Sequence, residues 1–206
     1  RYLKEGRTIL IDKGGNAADI SNWRPITIYS VLRRIIEKVL ESSLRSQVSI
    51  NPNQRGFIPN IPGCIINSRV INAVMQDAKL HNNDCVISFL DVTKAFDNVG
   101  HTHIAKYLQS MGISANLLSL ILNLLNDNST FLNIGGKKSK PINIKRGVPQ
   151  GGPLSPLLFN IAINFIYDEV CDPVVANKYG YKLHDSIQPI FLTGFVDDQA
   201  ITCIYS

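Results

Sequence analysis

Three aspartates carry the sequence's clearest chemistry. Asp197 and Asp198 stand side by side in GFVDDQAI (194–201), with Ile190, Phe191, Leu192, Phe195 and Val196 before them and Ala200, Ile201, Cys203, Ile204 and Tyr205 after. The pattern reads as a β-hairpin with carboxylates at its turn. Asp suits turns, so an exposed Asp-Asp turn would account for the octapeptide taken alone. Asp91 closes DCVISFLD (84–91), a β-branched apolar run that predicts a buried strand. If that strand and the hairpin are neighbours, three carboxylates converge at one sheet edge. Such a trio repels itself unless cations are bound. Hard oxygen donors with no His/Cys cluster select Mg²⁺ or Mn²⁺ over zinc. Two such ions about 4 Å apart activate an attacking oxygen and stabilise a leaving one in phosphoryl transfer.

Charge fits a polyanionic substrate. The net charge is +5, and residues 1–60 carry ten Lys/Arg against five Asp/Glu, while 61–206 are balanced at eleven each. A second basic run, Lys137, Lys138, Lys140, Lys145 and Arg146, has no acid near it in sequence. Clusters of this kind suit nucleic acid, although a merely solvated surface also looks like this. At 206 residues, 45% hydrophobic and 18% charged, the composition is globular rather than disordered. No apolar stretch reaches the length of a membrane span, so no membrane partner is expected. Four scattered cysteines without a CxxC pair argue against zinc and for a reducing, intracellular compartment. The start at Arg1 and an apparent strand still running at Ser206 suggest a piece of a larger protein.

The elements that must position the carboxylates follow from periodicity. RTILIDKGG (7–15) predicts a short strand ending in a Gly-Gly turn, and SNWRPITIYS (21–30) an extended segment. A helix is expected over roughly 29–47, with Val31, Ile35, Val39 and Leu40 on its buried side and Arg33, Arg34, Glu37, Lys38 and Glu41 facing solvent. Further helices are expected at about 65–80, 99–111 and 114–126, the second capped by Asp97 and Asn98 and closed by Gly112. A hairpin turns near Gly135-Gly136, and Ser155-Pro156 starts an apolar helix to about 170. The class is α+β, helices packed on a small antiparallel sheet.

FLDVTKAFDNV, RGVPQGGPLSPLLFN and GFVDD occur in the order of the palm motifs of reverse transcriptases. Together with NWRPITIYSVLRRIIEKVL and NQRGF they resemble the non-LTR retrotransposon branch, nearest to elements that insert into ribosomal RNA genes. The likeness runs from about residue 7 to the end. It implies the fingers and palm of a right-hand polymerase, about 1–83 mostly fingers and 84–206 mostly palm with fingers insertions, the thumb missing. The implied activity is RNA-directed DNA synthesis from dNTPs on an RNA template and a DNA primer, with two Mg²⁺ or Mn²⁺ ions. The parent polyprotein would commonly carry an endonuclease that nicks target DNA, and its action would be nuclear.

The resemblance also assigns roles. Asp91, Asp197 and Asp198 would be the catalytic metal ligands, joined by the backbone carbonyl of Val92. Phe96 matches an aromatic gate against the ribonucleotide 2′-OH, though a plain core role stays open. Gln150 and Gly151 match the loop against the incoming nucleotide, and Lys13 and Arg24 the basic residues that meet its triphosphate. Lys145 and Arg146 either meet template phosphate or form a solvated hairpin end. His101 and His103 share a first helical turn without partner ligands and read as structural; Trp23 reads as a packing anchor. Val196 and Gly152 stand where this branch more often has alanine, and aspartate or alanine. A catalytically dead copy that binds RNA is the alternative, though all three aspartates are intact. An RNA-dependent RNA polymerase is a further one, opposed by Phe96.

Overall fold

The computed structural model describes residues 2–204. They divide into two compact units, one formed up to Ser49 and by Phe96–Phe159, the other by Ile50–Ala95 and from Asn160 onward. The strand expected to be still running at Ser206 lies, in its last two positions, outside the described residues. Among the described residues, no helix is long and apolar enough to cross a membrane.

The first unit is built on a mixed sheet. β1 (Glu5–Asp12) pairs antiparallel with β2 (Trp23–Ile28) and parallel with β4 (Asn128–Ile134), which also pairs with β5 (Lys137–Lys138) and β6 (Ile142–Ile144). The β4–β5 turn falls at Gly135 and Gly136, both with positive φ (56° and 78°), as a tight hairpin requires. Thr8, Thr27 and Thr130 form a buried hydroxyl row across β2, β1 and β4, with O···O distances of 2.8 and 2.7 Å. The parallel β1–β4 pair was not anticipated. It joins segments too far apart in sequence for local patterning to reveal.

Helix α1 (Val31–Arg45) departs in part from the orientation its periodicity suggests: Leu40 is buried and Arg34 and Lys38 are exposed as expected, but other positions are reversed. Ser30 caps it by accepting from the Arg33 N–H. Arg33, Glu37, Leu40, Glu41 and Leu44 are buried, whereas Val31, Leu32, Ile35 and Val39 are exposed. The cause is carbonyl and amide oxygens that need a donor. Arg33 donates to the carbonyls of Leu3 (2.8 Å) and Leu124 (3.0 Å), to Asn128 Oδ1 (2.7 Å) and to Glu37 Oε1 (2.7 Å). Its guanidinium lies 3.6 Å from the centre of the Tyr29 ring. The forked guanidinium serves all of these at once, so Arg33 and Glu37 turn inward while Arg34 and Lys38 stay exposed. Glu41 is pushed up by burial but held below the usual carboxylate range by hydrogen bonds from Lys38 and Arg45.

α4 (His101–Ser110) and α5 (Ala115–Leu125) complete this unit's helices, with Ile104, Leu108, Leu117, Ile121 and Leu125 in the core. α4 begins later than expected. Asp97 and Asn98 belong to a separate helical turn, α3 (Ala95–Asn98), and Gly100 occupies the N-cap of α4 without a side-chain bond. Gly112 (φ 75°) closes α4 as expected.

The second unit holds α2 (Gly63–His81), most of α6 (Ser155–Val170), α7 (Pro173–Tyr179) and a three-stranded antiparallel sheet. Its order is β3 (Cys85–Asp91), β8 (Asp198–Ile204), β7 (Leu192–Phe195). Val74, Ala78 and Tyr181 form a small core with Cys85, Ile87, Leu183 and Ile190. Asp77 on α2 accepts from the Tyr181 hydroxyl (2.7 Å) and the His184 N–H (3.0 Å). β3 is not the buried strand expected from its composition. It has one ladder partner and lies at the sheet edge, where Phe89 is 75% exposed and Val86 and Leu90 are also open.

Candidate active site

The β3–β8 register runs from Cys85↔Ile204 to Asp91↔Asp198, so these two carboxylates are direct cross-strand partners at the end of the ladder. Directly opposite residues in a pleated pair project to the same face. Asp197 sits beside them in the β7–β8 turn, which is two residues long between the pair Phe195↔Asp198. Asp91 and Asp198 are exposed and Asp197 is half-buried. Val92 follows Asp91 directly.

The turn has an unusual first residue. Val196 adopts φ 63°, a left-handed conformation that a β-branched side chain disfavours and that Gly, Asn or Asp usually fills in hairpins. Both its backbone polar groups go to Gln54, which is 2% exposed. Gln54 Oε1 accepts from the N–H groups of Val196 (2.8 Å) and Gly56 (2.9 Å). Gln54 Nε2 donates to the Val196 carbonyl (3.0 Å) and the Tyr167 hydroxyl (3.2 Å).

The chain around Gln54 runs along β7. The Gly194 N–H donates to the Asn53 carbonyl and the Arg55 N–H to the Gly194 carbonyl, both at 2.9 Å. Arg55 Nη1 also donates to Thr193 Oγ1 (2.7 Å) and Asn67 Oδ1 (2.8 Å). Two glycines allow this fit. A Cβ on Gly56 would strike Val196, and one on Gly194 would overlap the Tyr167 hydroxyl. Burial pushes that phenol well above the usual tyrosine range, so it stays neutral against Gln54.

The first unit brings Phe96 against the loop 146–151, which carries Arg146, Gln150 and Gly151, whereas Lys13 and Arg24 sit on the β1–β2 pair. The Gly147 and Val148 N–H groups donate to the carbonyls of Val99 (2.7 Å) and Phe96 (2.8 Å), and a His101 ring nitrogen lies 2.8 Å from the Gly147 carbonyl. A Cβ on Gly147 (φ 88°) would lie 2.8 Å from the Asp97 backbone. The Thr27 N–H donates to the Gln150 carbonyl (2.9 Å), tying the loop to β2, and Gly151 (φ 119°) lies against the Thr27 carbonyl. Phe96 is half-buried and stacks on Phe159, with ring centroids 4.7 Å apart at 11°. One face is anchored, and the residue stays partly exposed. Arg24 is opposite Ile11 in the β1–β2 register, and the alternation places Lys13 on the same side. Lys13 Nζ reaches the Ser21 carbonyl at 3.3 Å. Arg146 Nη2 is held by the carbonyl and Oδ1 of Asn98, both at 2.9 Å, and Lys145 is exposed.

Residues 11–204 match the family described as reverse transcriptase (RNA-dependent DNA polymerase). The chain belongs to the reverse transcriptase family. This reverse transcriptase chain is 38% identical over 159 residues to the Retrovirus-related Pol polyprotein from type-1 retrotransposable element R2 of Popillia japonica, matching 77% of this chain and 22% of that protein. It is 35% identical to the corresponding polyprotein from type-2 retrotransposable element R2DM of Drosophila melanogaster, matching 79% of this chain and 15% of that protein. The chain thus spans about a fifth of the length of these relatives. Solved structures with the same fold include telomerase from Candida tropicalis with a TWJ fragment of telomeric RNA, at TM-score 0.64 and 13% identity, covering 98% of this chain and 36% of that one. Telomerase from Candida albicans gives TM-score 0.64 and 13% identity, covering 100% and 38%. The α+β class expected from the sequence is the one found.

Within this reverse transcriptase fold, the predicted residues fall into two sets. The carboxylates share the second unit, and Phe96, Gln150, Gly151, Lys13, Arg24, Lys145 and Arg146 the first. By chemistry, Asp91, Asp197 and Asp198 offer the hard oxygen donors a divalent ion takes, and the register sets two of them opposite each other. Among the described residues, no three His, Cys, Asp or Glu side chains gather closely enough to hold a metal. Sequence reasoning gave Gln54 and Tyr167 no role. NQRGF entered only as a point of likeness, though its Gln-x-Gly spacing was visible.

Proposed function

We propose that this chain is the catalytic part of an RNA-directed DNA polymerase of a non-LTR retrotransposon similar to the R2 elements. The observation that carries this is the register Asp91↔Asp198 with Asp197 in the adjoining turn. The three-stranded unit takes the palm role and the five-stranded unit the fingers role.

The primer 3′-OH attacks the α-phosphate of a dNTP in line, and pyrophosphate leaves. Asp91, Asp197, Asp198 and the Val92 carbonyl would hold Mg²⁺ or Mn²⁺, which would supply positive charge to the attacking and leaving oxygens. Lys13 and Arg24 bind the triphosphate and spread its negative charge. Gln150 and Gly151 present backbone to the incoming nucleotide, where the missing Cβ of Gly151 permits close approach. Phe96, braced by Phe159, fills the space a ribose 2′-OH requires. Lys145 and Arg146 contact template phosphate, a term that weakens as salt rises. The RNA template is read by base pairing. The parent polyprotein also nicks target DNA to supply the primer, and acts in the nucleus.

The test is primer extension on an RNA template with dNTPs and Mg²⁺, using the polypeptide that carries this chain beside its Asp197→Ala, Asp198→Ala twin. Extension by the parent and none by the twin is the expected result. Equal inactivity of both, with RNA still bound, would replace the polymerase by an RNA-binding module.

A further inference from the structure

We infer that Gln54 is a positioning residue of the acidic turn, acting through Val196 to place Asp197 and Asp198; the inference rests on the polymerase reading above. Gln54 acts on the backbone of the turn. Its side-chain amide grips the N–H of Val196 and the carbonyl of the Val196–Asp197 peptide, at 2.8 and 3.0 Å. A shift of that peptide carries the Asp197 carboxylate with it.

Four observations converge. Val196 holds a left-handed backbone (φ 63°) that its branched side chain does not favour unaided, and the turn it opens bears the carboxylates. Both halves of the Gln54 amide are engaged, Oε1 by two backbone N–H groups and Nε2 by a carbonyl and a phenol, so its orientation is fixed. Gln54 is itself fixed at the backbone, because Asn53 and Arg55 bond to Gly194 on β7 and so move with the hairpin. Gly56 and Gly194 clear the space the clamp occupies. A buried glutamine satisfied in this way specifies one geometry and tolerates few others.

The experiment compares the parent polypeptide with Gln54→Met, which keeps length and apolar volume but offers Val196 no hydrogen bond. It adds Gln54→Met combined with Val196→Gly, since glycine accepts positive φ without a clamp. Circular dichroism and RNA·DNA affinity identify folded, substrate-competent protein. The expected outcome for Gln54→Met is a kcat about 100-fold lower, the scale set by ångström misplacement of reacting groups. Its KM for dNTP should stay at the parent value. Mn²⁺ affinity, read by electron paramagnetic resonance, should fall in the same variant, and Val196→Gly should restore both. Parent-level kcat and Mn²⁺ affinity in folded Gln54→Met would overturn the inference, as would failure of Val196→Gly to restore either. If Gln54→Met does not fold, Val196→Gly alone decides: loss of Mn²⁺ affinity in it would show the turn needs valine rather than the clamp. If the parent extends no primer, the polymerase reading falls, while the Mn²⁺ titrations still decide the clamp.

Discussion

Asp91 and Asp198 face each other as the last registered pair of the β3–β8 ladder. Like charges directly opposite in a sheet work against it, so the strand pairing that builds the acidic edge is weakest there. Asp198→Asn should therefore stabilise the metal-free protein by about 0.2–1 kcal/mol while removing primer extension. Urea unfolding with and without Mg²⁺ checks this. The ion should raise the parent's midpoint and leave that of the variant almost unmoved.

The partly reversed helix α1 makes a paired prediction. Arg33 is 1% exposed and bonded to Glu37, Asn128 and two carbonyls, whereas Val39 is 64% exposed. Arg33→Met strands a buried carboxylate and should cost about 3–5 kcal/mol. Val39→Ser should change stability by no more than about 0.5 kcal/mol. Chemical denaturation of the two variants would show the reverse order if the helix faced the other way.

Gly152 is fitted to Glu37. A Cβ there would lie 2.6 Å from Glu37 Oε2, a buried oxygen without a hydrogen-bond partner. Gly152→Ala should destabilise by about 1–3 kcal/mol through overpacking. Gly152→Asp should cost more, because it sets a second carboxylate against the first. Thermal melts rank the three proteins.

Phe96→Ala removes the ring that Phe159 braces. Discrimination against ribonucleotides should fall by about 10–200-fold, the range one apolar contact supplies. Competition between dNTP and rNTP in single-nucleotide extension measures it, and unchanged preference would remove the gate assignment.

Acid should loosen the second unit through Asp77. The His184 N–H, and after it the Tyr181 hydroxyl, hold its carboxyl below the usual range. A depressed folded pKa contributes stability that is present above the unfolded value, about 3.9, and is lost as pH falls through the folded value. The urea midpoint of the parent should drop across that acidic window. Asp77→Asn should start lower and drop less.

Most elements were legible because they are local. The Gly135-Gly136 turn, the Ser155-Pro156 helix start and the hairpin bearing Asp197 and Asp198 are each written in a few adjacent residues. The acidic register was inferable only as a condition on two strands being neighbours, and β3 and β8 meet it. What failed was burial. Hydrophobic spacing put Val39 inside and Arg33 outside, but the carbonyls of Leu3 and Leu124 that draw Arg33 inward come from distant segments. The β-branched run ending at Asp91 was expected in a core, and it forms an edge, because a strand's composition does not say how many neighbours it has. Gln54 was missed for the same reason: its partner, Val196, is far along the chain.

The sheet topology also sets a timetable for the nascent chain. β1 waits for β4 before its parallel pairing can form, and β3 and β7 wait for β8, which lies between them yet emerges last. At about 5–20 residues per second, the first strand stays without that partner for several seconds of translation. A chain cut short before Asp198 therefore has Asp91 in place and nothing opposite it.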